Sequence, residues 1–244
     1  MPARRPHVVA HIAVSLDGAT TGFEPDVGRF YELARTWSED VTLAGADTVL
    51  AQEEALAAAP RPGPAADAPL LAVVDGRGRV RQWEALRDCG HWSGVIALRA
   101  FATAAPANHG PERVLFTGEE RVDLVAVLAM LAEREGAEVV RVDSGGALTG
   151  ALLDAGLVDE LSLLVHPCVV GGATDRRWHG PVPSSTTRLE SLGTKRLNDG
   201  LLWLRYRVLT RLDPRGKADE FGSRERASQR HRADQAGVTV GRHR

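Results

Sequence analysis

The sequence is poor in the residues from which reactive or cross-linked sites are usually built. Its 244 residues include only two cysteines and two methionines. Cys89 and Cys168 stand alone without CxxC spacing, which argues against a structural zinc site or a disulfide framework. No apolar run approaches the ~18 residues of a membrane-spanning helix. The opening MPARRPHVVAHIAVS is too short for a secretory signal and lacks a small-residue cleavage site, so its apolar part reads as a first strand. An excess of one charge is also missing. The formal net charge is -2, so polyanion binding is not expected. Absent too are GxxxxGK[ST], HExxH, GxSxG and the zinc-deaminase HxE with PCxxC. The expectation is a cytoplasmic protein with no metal site and neither membrane nor nucleic acid as partner.

What is present is a regular alternation of apolar strands and helices. A hydrophobic fraction of 43% suits a full core. HVVAHIAVS (7–15) is a valine-rich run of the kind buried on both faces of a sheet, and SLDG follows it as a turn. Residues 26–37 place Val27, Phe30, Leu33 and Ala34 at helical spacing behind Asp26 as N-cap. Strands are expected at 40–45, 70–78, 94–100 and 113–118, with a helical stretch over ADTVLAQEEALAAA and a loop over 60–69. The pattern predicts a helix over 122–135 ending at Gly136, then a strand at AEVVRVD, and a helix over 147–155 stopped by Gly156. LVDELSLLVHPCVV is expected as one long strand, and two further strands flank LNDG as a hairpin turn. The fold class is therefore α/β: a mixed, mainly parallel sheet flanked by helices, with a C-terminal antiparallel hairpin. The domain is placed at 1–210, and the polar stretch 211–244 is expected to be a disordered tail.

The most informative stretch is VDSGGALTGALLDAG, where a buried strand turns directly into a helix through Ser144, Gly145 and Gly146. Two readings are open: a tight turn that only small residues fit, or a helix N-terminus kept bare so that an anion can sit on its amides. DGRGRVR and SGGALTG both lack the spacing of a dinucleotide fingerprint.

Three stretches taken in order, AVSLDGATTG, LAGADTVLA and VDSGGALTGALLDAGLVDELSLLVHPCVVGG, resemble the pyrimidine reductase family of riboflavin biosynthesis. This is the reductase domain of the bifunctional deaminase–reductase, with a dihydrofolate reductase-like fold, and the resemblance covers residues 7 to 209. It implies an NADPH-dependent oxidoreductase that reduces the ribosyl carbon of a phosphoribosylamino-pyrimidine, commonly as a homodimer. The zinc deaminase half has no counterpart here, which implies a stand-alone reductase-type chain.

By that resemblance Ala13 and Thr48 contact cofactor, and Ser144, Gly145, Gly146, Ala147, Leu148, Thr149 and Gly150 form the pyrophosphate turn. Gly76 and Arg77 fall where the fold meets the adenosine 2′-phosphate, with Arg79 as competitor and a surface salt bridge as the alternative for either. Asp143 replaces a glutamate that contacts substrate, one methylene shorter, and is the candidate catalytic group for orienting sugar hydroxyls or relaying a proton. Arg35 matches a substrate-binding arginine, its alternative being a solvated helix charge. Two departures stand out. Gln52 replaces the aspartate that follows the threonine, and QEEALAAAPRPGPAA replaces the segment carrying a second substrate arginine, leaving Arg61 as substitute. Asp17 is expected to be structural, bonding its own turn amides, and His11 and His166 to be satisfied core or edge residues. DRRWHG (175–180) is a polar loop with a possible lid role. The strand over 158–165 is the candidate contribution to a dimer. Reduction of a pterin or folate, or NADPH or nucleotide binding without turnover, are the alternative functions.

Overall fold

The computed structural model describes residues 5–103, 111–180 and 187–209, and the tail expected from 211 onward lies outside them. Nine strands form one sheet: β1 (His7–Ser15), β2 (Val41–Gly45), β3 (Leu70–Val74), β4 (Val95–Arg99), β5 (Val114–Phe116), β6 (Val139–Val142), β7 (Glu160–His166), β8 (Arg188–Arg196) and β9 (Leu202–Leu209). Their order is β5-β4-β3-β2-β6-β1-β7-β9-β8. Pairing is parallel from β5 through β7 and antiparallel for β7–β9 and β9–β8. This is the mixed, mainly parallel sheet with a C-terminal hairpin that the sequence pattern called for. In the hairpin turn Asp199 adopts φ 59 and Gly200 φ 78, the left-handed geometry that Asn-Asp-Gly accommodates.

After β1 the chain moves outward through β2, β3, β4 and β5. It then returns to insert β6 between β2 and β1, and continues to β7 on the far side of β1. That reversal makes a topological switch point, and in open parallel sheets the crevice at the carboxyl ends of such strands is where ligands bind.

One face of the sheet is closed. Val8, Ala10, Ile12 and Val14 of β1, Leu43 of β2, and Val140 and Val142 of β6 pack beneath α5 (Leu124–Glu135) and α6 (Ala147–Asp154). Leu128, Leu131 and Leu152 are the fully buried knobs from those helices. Asp123 caps α5 by accepting from the amides of Val125 and Ala126, and Gly136 ends it at φ 68. The opposite face is covered in two separate pieces. Around β3 and β4 lie α2 (Ala46–Leu50), α3 (Glu53–Ala58) and α4 (Trp83–Asp88), which contribute Val49, Trp83 and Leu86. Over β7 lies α1 (Val27–Ala34), which contributes Phe30.

Several boundaries differ from those expected. The helical stretch after β2 is two short helices broken at Ala51–Gln52. A short helix at α4, too brief to show a period in the sequence, is an addition. The long strand narrows to Glu160–His166. Just before it Asp159 keeps backbone bonds to Val8 and Val208, and its carboxylate accepts from Arg5 and the Val8 amide. A role for the 158–165 strand in a dimer needs correction. β7 is hydrogen-bonded on both edges, to β1 and β9, and has none to offer. Among the described residues the free edge near it is β8, whose nine residues are all exposed.

Candidate active site

Between the two covers of the second face lies an open cleft at the carboxyl ends of β1, β2 and β6. Its lining brings together Ala13, Thr48, Gly76, Arg77, Arg35, Asp143 and the turn Ser144–Leu148. Arg61 is not part of it. That residue lies beside Asp88, whose carboxyl is held below its ordinary range first by the Arg87 hydrogen bond, with a smaller contribution from Arg61. The expected substitution of Arg61 for the missing substrate arginine is thus not borne by its position. Gln52 does line the cleft.

The glycine turn is more crowded than bare amides would suggest. The Gly146 amide donates to the Trp178 carbonyl at 2.9 Å, so it is already used. A Cβ on Gly150 would sit 2.3 Å from the His179 carbonyl oxygen, and one on Gly145 2.7 Å from Thr20 Cγ2. Gly146 itself stands at φ 64. The small residues are therefore required by packing against the 174–180 loop and the segment after β1. The tight-turn reading describes the glycines, which serve the close approach, while the amides of Ala147, Leu148 and Thr149 begin a helix and have no intrahelical partner. Beside them Thr48 Oγ1 and Ser144 Oγ lie 2.5 Å apart, and the Gly45 amide donates to the same Ser144 oxygen at 3.2 Å. Thr149 Oγ1 turns inward to the Ser144 carbonyl, and both Thr149 and Gly150 are buried beneath the turn.

The 174–180 loop is clamped in place. Its Trp178 amide donates to the Gly18 carbonyl, the Thr20 amide donates to Arg176, and Ala19 bridges Arg177. Asp17 fastens the segment just upstream, accepting from the amides of Val170 and Gly171 and from Ser15 Oγ. These bonds, Ser15 first, hold its carboxyl at about 2. Asp17 is structural as expected, and it ties a distant loop to its own turn, where Ser15 is its partner.

At the mouth, Arg35 and Arg77 are exposed and have no partner among the described residues. Arg79, the competitor, is engaged by Asp47 at 2.6 Å. The two core histidines are satisfied. His11 Nε2 faces the Phe30 carbonyl at 3.1 Å, so that nitrogen carries the hydrogen and Nδ1 accepts from Ser162, which in turn accepts from Trp203 Nε1. Burial pushes its pKa down to about 4. His166 Nε2 accepts the Asp26 amide at 2.9 Å.

The cleft floor holds a group that sequence reasoning missed. Arg141, in the middle of β6, is buried with only 2% of its side chain exposed. It pairs with Glu39 at 2.7 Å and with Asp143 at 3.2 Å, and donates to Thr42 at 3.3 Å. Tyr31 donates to Asp143 Oδ2 at 3.3 Å, and its ring lies 5.9 Å from the guanidinium. Burial first, and then the Asp143 charge, hold the Tyr31 hydroxyl above its ordinary range. The signal was present in the sequence: an arginine in VVRVD violates the apolar pattern of a buried strand, and such violations gather at functional sites.

The profile of the RibD C-terminal domain matches residues 6–203. A protein of Methanothermobacter thermautotrophicus named 2,5-diamino-6-ribosylamino-4(3H)-pyrimidinone 5′-phosphate reductase is 30% identical, with 70% of this chain and 82% of that protein covered. One of the same name from Archaeoglobus fulgidus is 32% identical, over 69% and 83%. Among solved structures, a pyrimidine reductase-like protein of Corynebacterium diphtheriae shares the fold at a TM-score of 0.64 and 18% identity, covering 84% of this chain and 93% of that one. The three ordered motifs, the switch-point cleft and these matches agree: the chain belongs to the RibD C-terminal domain family, the pyrimidine reductases of riboflavin biosynthesis.

Proposed function

We propose that this chain is a cytoplasmic, NADPH-dependent reductase that delivers a hydride to the ribosyl carbon of a phosphoribosylamino-pyrimidine. The observation that carries the reading is the convergence of the Thr48–Ser144 hydroxyl pair, the first-turn amides of α6 and the Asp143 carboxylate in one cleft. The relatives named as pyrimidinone phosphate reductases supply the substrate class.

The residues fit a dinucleotide. The amides of Ala147, Leu148 and Thr149 with the Thr48 hydroxyl would take the pyrophosphate, since a helix N-terminus favours negative charge. Arg77, at the mouth beside Gly76 and without a partner among the described residues, would take the 2′-phosphate that separates NADPH from NADH. Ala13, half-buried at the end of β1, leaves room for a flat ring over the sheet. NADPH, when bound, supplies the hydride. The chain's own task is to hold the acceptor carbon close to it and to manage the proton of the opened sugar. Asp143 would accept from the sugar hydroxyls and relay that proton, while Arg35 would take the substrate phosphate through its planar fork. A homodimer would use the exposed β8 edge, since a free edge is a template on which a second strand can pair.

The test is titration with NADPH and NADH by fluorescence, followed by addition of the phosphoribosylamino-pyrimidine. Binding of NADPH over NADH with oxidation on addition is expected. Binding without oxidation would move the function to a pterin, a folate or a non-catalytic role. In Ala147→Asp the added carboxylate lies in the first turn, where it favours the helix but opposes a pyrophosphate. NADPH affinity should fall at least 10-fold with the fold intact, and unchanged affinity would leave α6 as a packing element only.

A further inference from the structure

Arg141 stands out among the groups that the proposed chemistry does not use. A guanidinium with 2% of its side chain exposed would be costly in the middle of a sheet unless paired. It has two carboxylates, which come from different directions. Glu39 precedes β2, and the chain reaches it through Ser38 at φ 46, an uncommon conformation for a residue with a side chain. That turn directs Glu39 back over β6, where it holds Arg141 Nε at 2.7 Å, while the next residue, Asp40, accepts from the amides of Glu138 and Val139 at the start of β6. Asp143 is the second carboxylate. Both Arg141 Nη1 and the Tyr31 hydroxyl reach the same oxygen, Oδ2, and no hydrogen bond to Oδ1 occurs among the described residues. Burial opposes the charge on Arg141, but Asp143 and Glu39 more than offset it, and its pKa is raised.

We infer that Arg141, anchored by Glu39, is a positioning residue that fixes the Asp143 carboxylate by one oxygen and leaves the other to face the substrate sugar. The inference rests on the proposed reductase function. It goes beyond that function by assigning the specificity of the site to an ion network in the cleft floor. It also accounts for the shorter acid at 143: the carboxylate is drawn toward the sheet by a cation built into the strand two residues earlier. Nη1 lies 3.2 Å from Oδ2 yet makes no aligned hydrogen bond. Such a loose contact is expected of a site that tightens only when substrate is present. The cluster carries one cation against two carboxylates, so the pocket suits hydroxyl and amino donors and leaves the substrate phosphate to the exposed arginines at the mouth.

The experiment is a double-mutant cycle of Arg141→Met and Asp143→Asn in the full chain, with kcat, KM, NADPH Kd and Tm measured for each. Misplacing a group at the reacting centre by about 1 Å can cost ~10²-fold. Arg141→Met should therefore lower kcat about 10²-fold while NADPH Kd stays within about 2-fold. Arg141→Lys, which restores the charge without the fork, should recover part of that loss. Because Arg141 acts through Asp143, the double variant should be no more than about 2-fold worse than Asp143→Asn alone. Losses that multiply, or a kcat for Arg141→Met within about 3-fold of the parent, would overturn the inference. Should Arg141→Met fail to fold, Glu39→Gln takes its place in the cycle, with a smaller kcat loss that must also vanish beside Asp143→Asn. A parent protein that binds NADPH but oxidises none with the pyrimidine overturns the function and this inference together. An active parent with a multiplicative cycle overturns the inference alone.

Discussion

The two faces of the sheet are built from the same strands by opposite rules. Toward α5 and α6 the residues of β1, β2 and β6 are aliphatic up to Gly45 at the end of β2, and they form one continuous core. Toward the cleft the same strands present His11 and Ala13, Thr42 and Ala44, and Arg141. Since side chains alternate along a strand, one register supplies both. The lesson is that a strand buried on both faces need not be apolar on both. The closed face supplies cohesion, and the open one, relieved of that duty, can hold polar groups in fixed positions. Substitutions on the two faces should therefore fail differently, in stability on one and in binding or turnover on the other.

The largest expected loss of stability lies on the closed face. Leu131→Ala empties a fully buried position on α5 and should remove about 2–5 kcal/mol of folding free energy, read by denaturant unfolding. NADPH affinity of the folded fraction should not change, and a change would mean the two faces are coupled.

Next is a titration on the open face. The His11 pKa of about 4 lies below its unfolded value near 6.5, so its contribution is fully present above pH ~6.5. As pH falls toward 4 the unfolded chain takes up the proton first, and stability should drop by of order 3 kcal/mol before levelling off. In His11→Asn that slope should flatten between pH 6.5 and 4, and an unchanged slope would place the titration elsewhere.

At the seam between the faces, Gly150→Ala would push a methyl group to 2.3 Å from the His179 carbonyl. The loop over the turn must move, at about 1–3 kcal/mol for an overpacked site. NADPH affinity should fall with it. Lost stability with unchanged affinity would separate the loop's packing from the anion site.

How much of this was legible follows from the same division. The closed face was readable because aliphatic periodicity sets β1, α5 and β6 directly, and glycines at 136 and 156 mark where helices stop. Thr48, Asp143 and the glycine turn were found from ordered motifs and do meet in one cleft. Arg61 does not line the cleft, and a proline-rich loop carries no periodic signal that would fix its position. The Gly146 amide looked free because its partner, the Trp178 carbonyl, is a backbone atom from a loop that no side-chain pattern announces. Arg141 was visible as an anomaly, but its partners Glu39 and Tyr31 come from elements whose contact with β6 only the folded chain reveals.

The smallest effect, and the sharpest contrast, comes from a second buried arginine. Arg99, at the end of β4, is as inaccessible as Arg141, yet its nearest carboxylate, Asp75, is 3.9 Å away. Among the described residues its Nε and Nη2 have no hydrogen-bond partner, and it does not line the cleft. Asp75 does not depend on it, because it accepts from the amides of Arg79 and Val80 at 2.8 and 3.2 Å. Replacing a buried charge by an apolar side chain of similar length is often neutral when the partner remains satisfied. Arg99→Met should thus change stability by less than about 1 kcal/mol and leave NADPH binding and turnover as they were. A loss near 3 kcal/mol would show that Asp75 needs the guanidinium after all. Lost turnover with intact stability would extend the working surface of the sheet to β4, and the difference between the two arginines would then be one of degree.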